Sequence, residues 1–215
     1  NITNINIAVD KIRKLGLLCK IYDDILIVKY PKQLQFSDKD YILKSRGIVI
    51  DFTNKKIINH SVEGCIDYNK FKAKFNWKNI VIEERLDGTL INVYFNKKWC
   101  VSTKFCVNAS EARFRNSKTF RQLFDSIAGN IYDSLDKSYT YSFLLQHHDS
   151  RNVTHVNRNK IYHIESTNNV TGEKVQITVP GADTPRILKF GQYDSLNKLT
   201  VNSYEELEDV VYKMD

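Results

Sequence analysis

Proline and glycine are scarce in this chain, three and eight among 215 residues. With so few breakers, no Gly/Ser-rich or Pro-rich linker sets independent halves apart, and no internal repeat or low-complexity tract subdivides the sequence. Long apolar runs are missing too. Nothing approaches the ~20 residues that a bilayer-spanning helix needs, which argues against a membrane protein. The opening NITNINIAVDKIRK lacks the apolar core and small-residue cleavage site of a secretory signal, and a chain that begins on Asn reads as trimmed or processed. Cysteine is sparse and scattered: Cys19, Cys65, Cys100 and Cys106 include no CxxC pair. A chain of this length can bury a core without staples, so they read as reduced thiols in a cytoplasmic setting. Neither GxxxxGK[ST] nor GxGxxG occurs, so the common phosphate-cradling loops are absent. His147 and His148 are adjacent on an expected strand and would face opposite sides, so no metal site is expected of them.

What is present is ordinary for a globular domain: 42% hydrophobic and 27% charged residues. The net charge of +7 favours a polyanionic partner, RNA or another nucleic acid, through attraction to phosphates. The lysines are dispersed and form no dense basic tail.

Periodicity gives a coarse map. Ile7, Ile12, Leu15 and Leu18 fall at helical spacing over residues 7–20, and Ile25 to Val28 reads as a short strand stopped by Pro31. Ser37 followed by Asp40 predicts a capped short helix toward Lys44. RGIVIDFTNKKIINHSV then reads as strand, turn at Thr53 to Lys56, and returning strand. IVIEERLDGTLINVYFNKKWCVSTK repeats that pattern, with Asp87-Gly88 connecting one antiparallel pair and a turn at Asn96 to Lys98 connecting the next. Phe120, Leu123, Phe124 and Ile127 predict a helix over 117–128, and strands follow at 139–146, 160–166 and 174–179. Ser203 and Glu206 form a capping-box pattern for a last helix running to the chain end. Hairpins with intervening helices and no βαβ alternation predict an α+β fold with antiparallel or mixed sheets. Residues 1–44 read as a small N-terminal α/β appendage to a domain over 45–215.

The segments that carry chemistry are SRG at Arg46, EERLDGTL at 83–90, STK at Lys104 and SFLLQHHDSRNV from Ser142, with DSRNV and NNVTGE as lesser marks. In this order they resemble the nucleotidyltransferase domain of ATP-dependent RNA ligases, of the type of the phage tRNA-repair ligase, over residues 46–214. The resemblance implies an ATP-grasp-like fold, ATP and Mg²⁺ as cofactors, RNA as partner, and a viral origin. It also implies roles. Glu83 and Glu84 lie where backbone groups meet adenine, and Asp87 and Gly88 complete the family's Lys-x-Asp-Gly. Arg46 matches an arginine near the nucleotide, Lys70 in YNKF the lysine that follows it, and Lys104 a lysine near the phosphates.

Three departures stand against that pattern. The family's lysine attacks the α-phosphorus of ATP as a neutral amine, and Arg85 holds its place here. A guanidinium keeps its proton at any ordinary pH; it grips phosphate and does not attack it. Leu144 stands where the family has a glutamate and has no oxygen to offer ribose or Mg²⁺. Gln146, on the same strand face, is a hydrogen-bonding substitute. The family's later motifs would fall after Asp215, leaving two alternatives, a longer polypeptide or loss of half the phosphate clamp. Three functions follow: a degenerate ligase-like domain that binds nucleotide or RNA, an active RNA ligase, or a protein-interaction component within a larger assembly.

Overall fold

A computed structural model describes residues 2–115, 118–150, 153, 155–185, 187–190, 193–194 and 201–212. The chain divides into two compact units, one made of residues 1–65 and 87–184, the other of 66–86 and 185–215. Among the described residues no helix is long and apolar enough to cross a membrane, and the fold is α+β with antiparallel sheets.

In the larger unit, α1 (Ile2–Lys14) is followed by a four-stranded antiparallel sheet in the order β1 (Leu18–Tyr22), β2 (Ile25–Lys29), β3 (Arg46–Asp51), β4 (Lys56–Asn59), with α2 (Asp40–Lys44) between the second and third strands. The helix expected over 7–20 thus ends at Lys14. Gly16, at φ 79, breaks it, and Leu18 to Tyr22 turn back to pair with β2. Alternation in β2 and β3 explains what each face buries. Leu26 packs with Ile5 and Val9 of α1, whereas Ile27, Val49 and Ile58 pack on Tyr94 of a second sheet.

That second sheet runs β10 (Lys174–Val175), β9 (Lys160–Asn168), β8 (Tyr139–Gln146), β6 (Thr89–Asn96), β7 (Lys98–Thr103). One face carries Ile91, Val93, Phe143 and Leu145, all at 0% exposure and clustered with Leu123 and Phe124 of α4 (Phe120–Ala128). The other face buries Tyr94 against the four-stranded sheet and also carries a buried polar pair: the Ser142 hydroxyl donates to Asn92 Oδ1 at 2.9 Å. The order of layers is therefore α1, four-stranded sheet, five-stranded sheet, α4. α4 begins at Phe120. Thr119 caps it, accepting from Gln122 N while the Gln122 side chain accepts from Thr119 N, and Gly129 at φ 53 closes it.

The smaller unit holds α3 (Tyr68–Lys74), β5 (Val81–Glu83), β11 (Ile187–Phe190), β12 (Tyr193–Asp194) and α5 (Tyr204–Tyr212), with strand order β12-β11-β5. α5 docks on α3 through Tyr204, which meets Tyr68 and Trp77 edge-on at 6.3 and 5.1 Å and donates its hydroxyl to Phe75 O at 2.9 Å. Lys72 bridges Glu205 and Glu208 beside that contact.

Several expectations are corrected. Val81–Glu83 does not pair with Thr89–Asn96 across Asp87-Gly88; β5 pairs with β11 and β6 with β7 and β8, so the segment 84–88 passes between sheets and is not a hairpin turn. Ser37 does not cap α2, whose N-cap is Lys39; its hydroxyl accepts only the nearby Lys39 N. The strand expected over 174–179 is two residues long. His147 and His148 lie past the end of β8, and the His147 ring accepts Asp149 N. In the last helix Ser203 Oγ accepts Glu206 N, but the Glu206 carboxylate takes Asn202 N, one residue earlier than a capping box predicts. Ser117, the expected start of α4, and residues 213–215, the expected end of the last helix, lie outside the described residues.

Because Leu123 is fully buried under the five-stranded sheet, Leu123→Ala should cost about 2–5 kcal/mol and Thr119→Ala about 1 kcal/mol, read as shifted midpoints in urea unfolding. Equal losses at the two positions would contradict the layer order given above.

Candidate functional site

One end of the five-stranded sheet collects most of the larger unit's sequence-flagged residues. Ile91 pairs with both Thr103 of β7 and Phe143 of β8, so Gly88, Lys104, Leu144 and Gln146 all come to the same end. Two glycines make that end tight. A Cβ on Gly88 would sit 2.7 Å from Leu145 O and 2.9 Å from Leu144 Cγ. A Cβ on Gly47 would sit 2.9 Å from Lys104 O, and Gly47 has φ 106, a region that side chains disfavour. β3 therefore runs directly onto the backbone just past β7.

That crossing brings Arg46 to Lys104. Arg46 Nη1 donates to Glu63 O at 3.2 Å, and Arg46 also pairs in register with Lys29 of β2. Lys104 Nζ lies 5.0 Å from the Tyr30 ring centre; Lys29 Nζ and Lys20 Nζ lie 4.0 and 4.5 Å from that of Phe105. Burial and then the charges of Arg46 and Lys29 hold the Lys104 ammonium below the ordinary lysine pKa, and burial and then Lys20 do the same for Lys29. Cations crowded this closely, with aromatic faces and no carboxylate within ion-pair distance of Lys29, Arg46 or Lys104 among the described residues, suit an anion. Sequence reading had singled out Arg46 and Lys104. It missed Lys29, Tyr30, Lys20 and Phe105, because nothing marks a lysine on a strand as facing another strand's arginine until the register is known.

Asp87, Gly88 and Gln146 form the second part of this sheet end. Gln146 Nε2 donates to Asp87 O at 2.8 Å, and Asp87 Oδ2 accepts Val153 N at 2.9 Å. The Gln146 amide is thus engaged in tying β8 to the 84–88 segment. Leu144 pairs with Leu90 and fills the space left by the missing Cβ of Gly88. Leu144 itself has no oxygen to offer a Mg²⁺ ion. Among the described residues no three His, Cys, Asp or Glu side chains are grouped to hold a metal.

The other flagged residues belong to the smaller unit. Glu83 is exposed at the end of β5 opposite Ile187, and Glu84 and Arg85 follow it in irregular backbone, with Arg85 exposed and two residues before Asp87 along the chain. Lys70 is exposed in the first turn of α3, where Asp67 Oδ1 accepts its backbone N–H. Of the lesser marks, Arg151 and Asn152 lie outside the described residues. The turn NNVTGE joins β9 to β10, with Asn168 Oδ1 accepting Val170 N and Thr171 N.

No family model matches the sequence. Among curated proteins, the chain is similar to an RNA ligase of Rhodothermus phage RM378, 27% identical over 184 residues, covering 68% of this chain and 42% of that protein. It is also similar to an immediate-early protein ICP-46 homolog of Invertebrate iridescent virus 3, 23% identical over 139 residues, covering 55% of this chain and 31% of that protein. The chain spans less than half the length of both viral relatives, and one of the two is named an RNA ligase.

Proposed function

We propose that this chain is an RNA ligase-like nucleotidyltransferase domain that holds a nucleotide or an RNA end by its phosphates and no longer carries out covalent adenylyl transfer. The observation that carries the reading is the convergence of Lys29, Arg46 and Lys104 at the sheet end that also holds Gly88 and Gln146. The similarity to a viral RNA ligase and the order of the sequence motifs support it, and the excess of positive charge fits an RNA ligand. Arg85 and Leu144 support the loss of chemistry. One is a cation that cannot become a nucleophile, the other an apolar side chain in the place of an oxygen ligand. ATP and RNA ends are the ligands this reading names, and any protein partners would act on a binding module and not on a transferase.

Incubation with α-labelled ATP and Mg²⁺ should leave no label on the denatured protein. A denaturation-resistant adenylate on any side chain, Lys104 included, would overturn the degenerate reading. Arg85→Lys should restore labelling if the only defect is the missing amine.

ATP should raise the melting temperature by mass action, by about 2.7 kcal/mol of apparent stability at a hundredfold excess over Kd. Arg46→Ala and Lys104→Ala should each weaken ATP at least about tenfold, or roughly 1.4 kcal/mol. The pH dependence has a definite sign. Lys104 has a lowered folded-state pKa, so its charge, and the anion affinity it supplies, is present at neutral pH and is lost on the alkaline side before an ordinary lysine near 10.5 would titrate. Lys104→Arg should remove that early decline. Over the same window the unfolded chain binds more protons, so this residue makes the protein more stable as pH rises. ATP affinity that stays flat up to the ordinary lysine range in the unsubstituted protein would separate Lys104 from the anion site.

A further inference from the structure

At the opposite end of both sheets lies a groove that, of the sequence marks, only the NNVTGE turn touches. Its cavity is about 610 Å³ and is walled by the β3–β4 turn, the approach to β8 and the β9–β10 turn. Seven residue steps of β6 separate Gly88's neighbour Thr89 from Asn96 at this end, or roughly 23 Å at ~3.3 Å per residue. Lys55, Lys56 and Lys137 enter the groove from two different segments, and Ser138, Asn169 and Thr171 supply polar groups between them. The volume is within the ~300–1,000 Å³ range of ligand sites, and the lining mixes apolar groups such as Ile57, Phe95 and Val170 with three lysines.

Three further observations concern charge. First, Lys55, Lys56 and Lys137 have no carboxylate within ion-pair distance among the described residues, although acids are near. Asp51 accepts the Asn54 N–H and side-chain amide at 2.9 and 2.8 Å, and Asp136 accepts the Ser138 N–H and hydroxyl, so each acid is turned into its own turn. Lys56 and Lys97 both act on Asp51, which places Lys97 of the β6–β7 turn on the same side. Second, a neighbouring cavity of about 290 Å³ shares His60, Ile57, Thr171 and Gly172 with the groove, yet its lysines are neutralised: Lys44 pairs with Asp40 at 2.9 Å and Lys174 with Glu165 at 3.0 Å. Among the described residues, the lysines on one side of His60 are ion-paired and those on the groove side are not. Third, Lys55 and Lys97 sit at turn tips with φ 52 and 63, left-handed backbone where glycine or asparagine is the unstrained choice. Lysine stands at two positions where a side chain strains the backbone, and a strained residue with an exposed charge points to use of that charge.

We propose that this groove binds the phosphodiester backbone of single-stranded nucleic acid, as a contact separate from the Arg46–Lys104 end of the sheets. Lysines supply mobile point charges and lack the planar fork that fixes one phosphate or carboxylate in one geometry, which suits a run of phosphates read without sequence. Phe95, already under Lys137 Nζ at 4.6 Å from its ring centre, adds an aromatic face to the wall. The proposal shares only its ligand class with the proposed function and does not need a nucleotide pocket.

The test is fluorescence anisotropy of a labelled single-stranded RNA over a salt series, with the full chain. Lys55→Gly with Lys97→Gly relieves strain while removing charge, so the melting temperature should stay level or rise as RNA affinity falls. Adding Lys137→Ala should bring the loss to about tenfold or more at moderate salt, and flatten the slope of log K on log salt by about 2, at roughly 0.7 per phosphate contact. Lys174→Ala, on the neutralised side, should change affinity little. Unchanged RNA affinity and slope in the triple variant would overturn the proposal, as would equal competition by polyglutamate, which would assign the groove to an acidic protein surface. Arg46→Ala with Lys104→Ala keeps the two readings apart: an ATP response unchanged in this double variant, with the groove-dependent RNA term intact, would sink the proposed function alone.

Discussion

The contact on which the larger unit's architecture turns is the approach of Gly47 to the backbone of Lys104. Two sheets can share a core through side chains alone, ~10 Å apart, but here the first residues of β3 meet the chain just past β7 with no Cβ between them. Asn59 Nδ2 fixes the same spot from the next strand by donating to Gly47 O at 2.8 Å. Any side chain at residue 47 would push the sheets apart and adopt disfavoured φ as well. The consequence is electrostatic. Arg46, which β-strand register sets beside Lys29, is held against Lys104, and burial then raises the cost of keeping three like charges together. Such a cluster stores repulsion that an anion would relieve.

The buried polar pair between the sheets has a second effect. Apolar packing tolerates slippage, but a buried interface that includes the Ser142–Asn92 hydrogen bond penalises any register that leaves those groups unpaired. The apolar face under α4 supplies the stabilisation, with Phe124 and Phe143 rings 5.4 Å apart, while the polar pair supplies alignment. Alignment is what brings Gly88, Gln146 and Lys104 to one end and leaves Lys137 and the Lys55–Lys56 turn at the other.

Much of this was legible in the sequence. The α+β class, the strands at 139–146 and 160–166, the second of which runs on to Asn168, the β3–β4 hairpin and the face of α4 follow from periods of 2 and 3.6 residues. Local chemistry failed where two signals competed. Leu15 and Leu18 extend the helical spacing of α1 on paper, yet Gly16 ends the helix and Leu18 starts a strand. Asp87-Gly88 has the composition of a hairpin tip, but Gly88 is glycine because Leu144 and Leu145 crowd it, not because a turn needs it. α3 went unread despite an Asp67 cap, since seven residues show too little periodicity to be told from loop. The candidate site was half legible for a related reason. Motif residues such as Arg46 and Lys104 announce themselves by company in sequence, whereas Lys29 and Tyr30 join them only through strand pairing.

On the proposed reading, Arg85 and Leu144 each favour binding over transfer by the chemistry of its own side chain. A guanidinium at the attacking position would be a defect in a transferase and is an asset in a binder, because it holds full charge at every physiological pH and meets phosphate with a planar fork. Losing a carboxylate at position 144 acts in the same direction. A glutamate there would repel phosphates of the kind proposed to bind at Lys29, Arg46 and Lys104 unless a metal ion offset the repulsion. Leucine removes the charge and fills the gap over Gly88. On the proposed reading, an arginine at position 85 and a leucine at position 144 both favour holding an anion over transferring it.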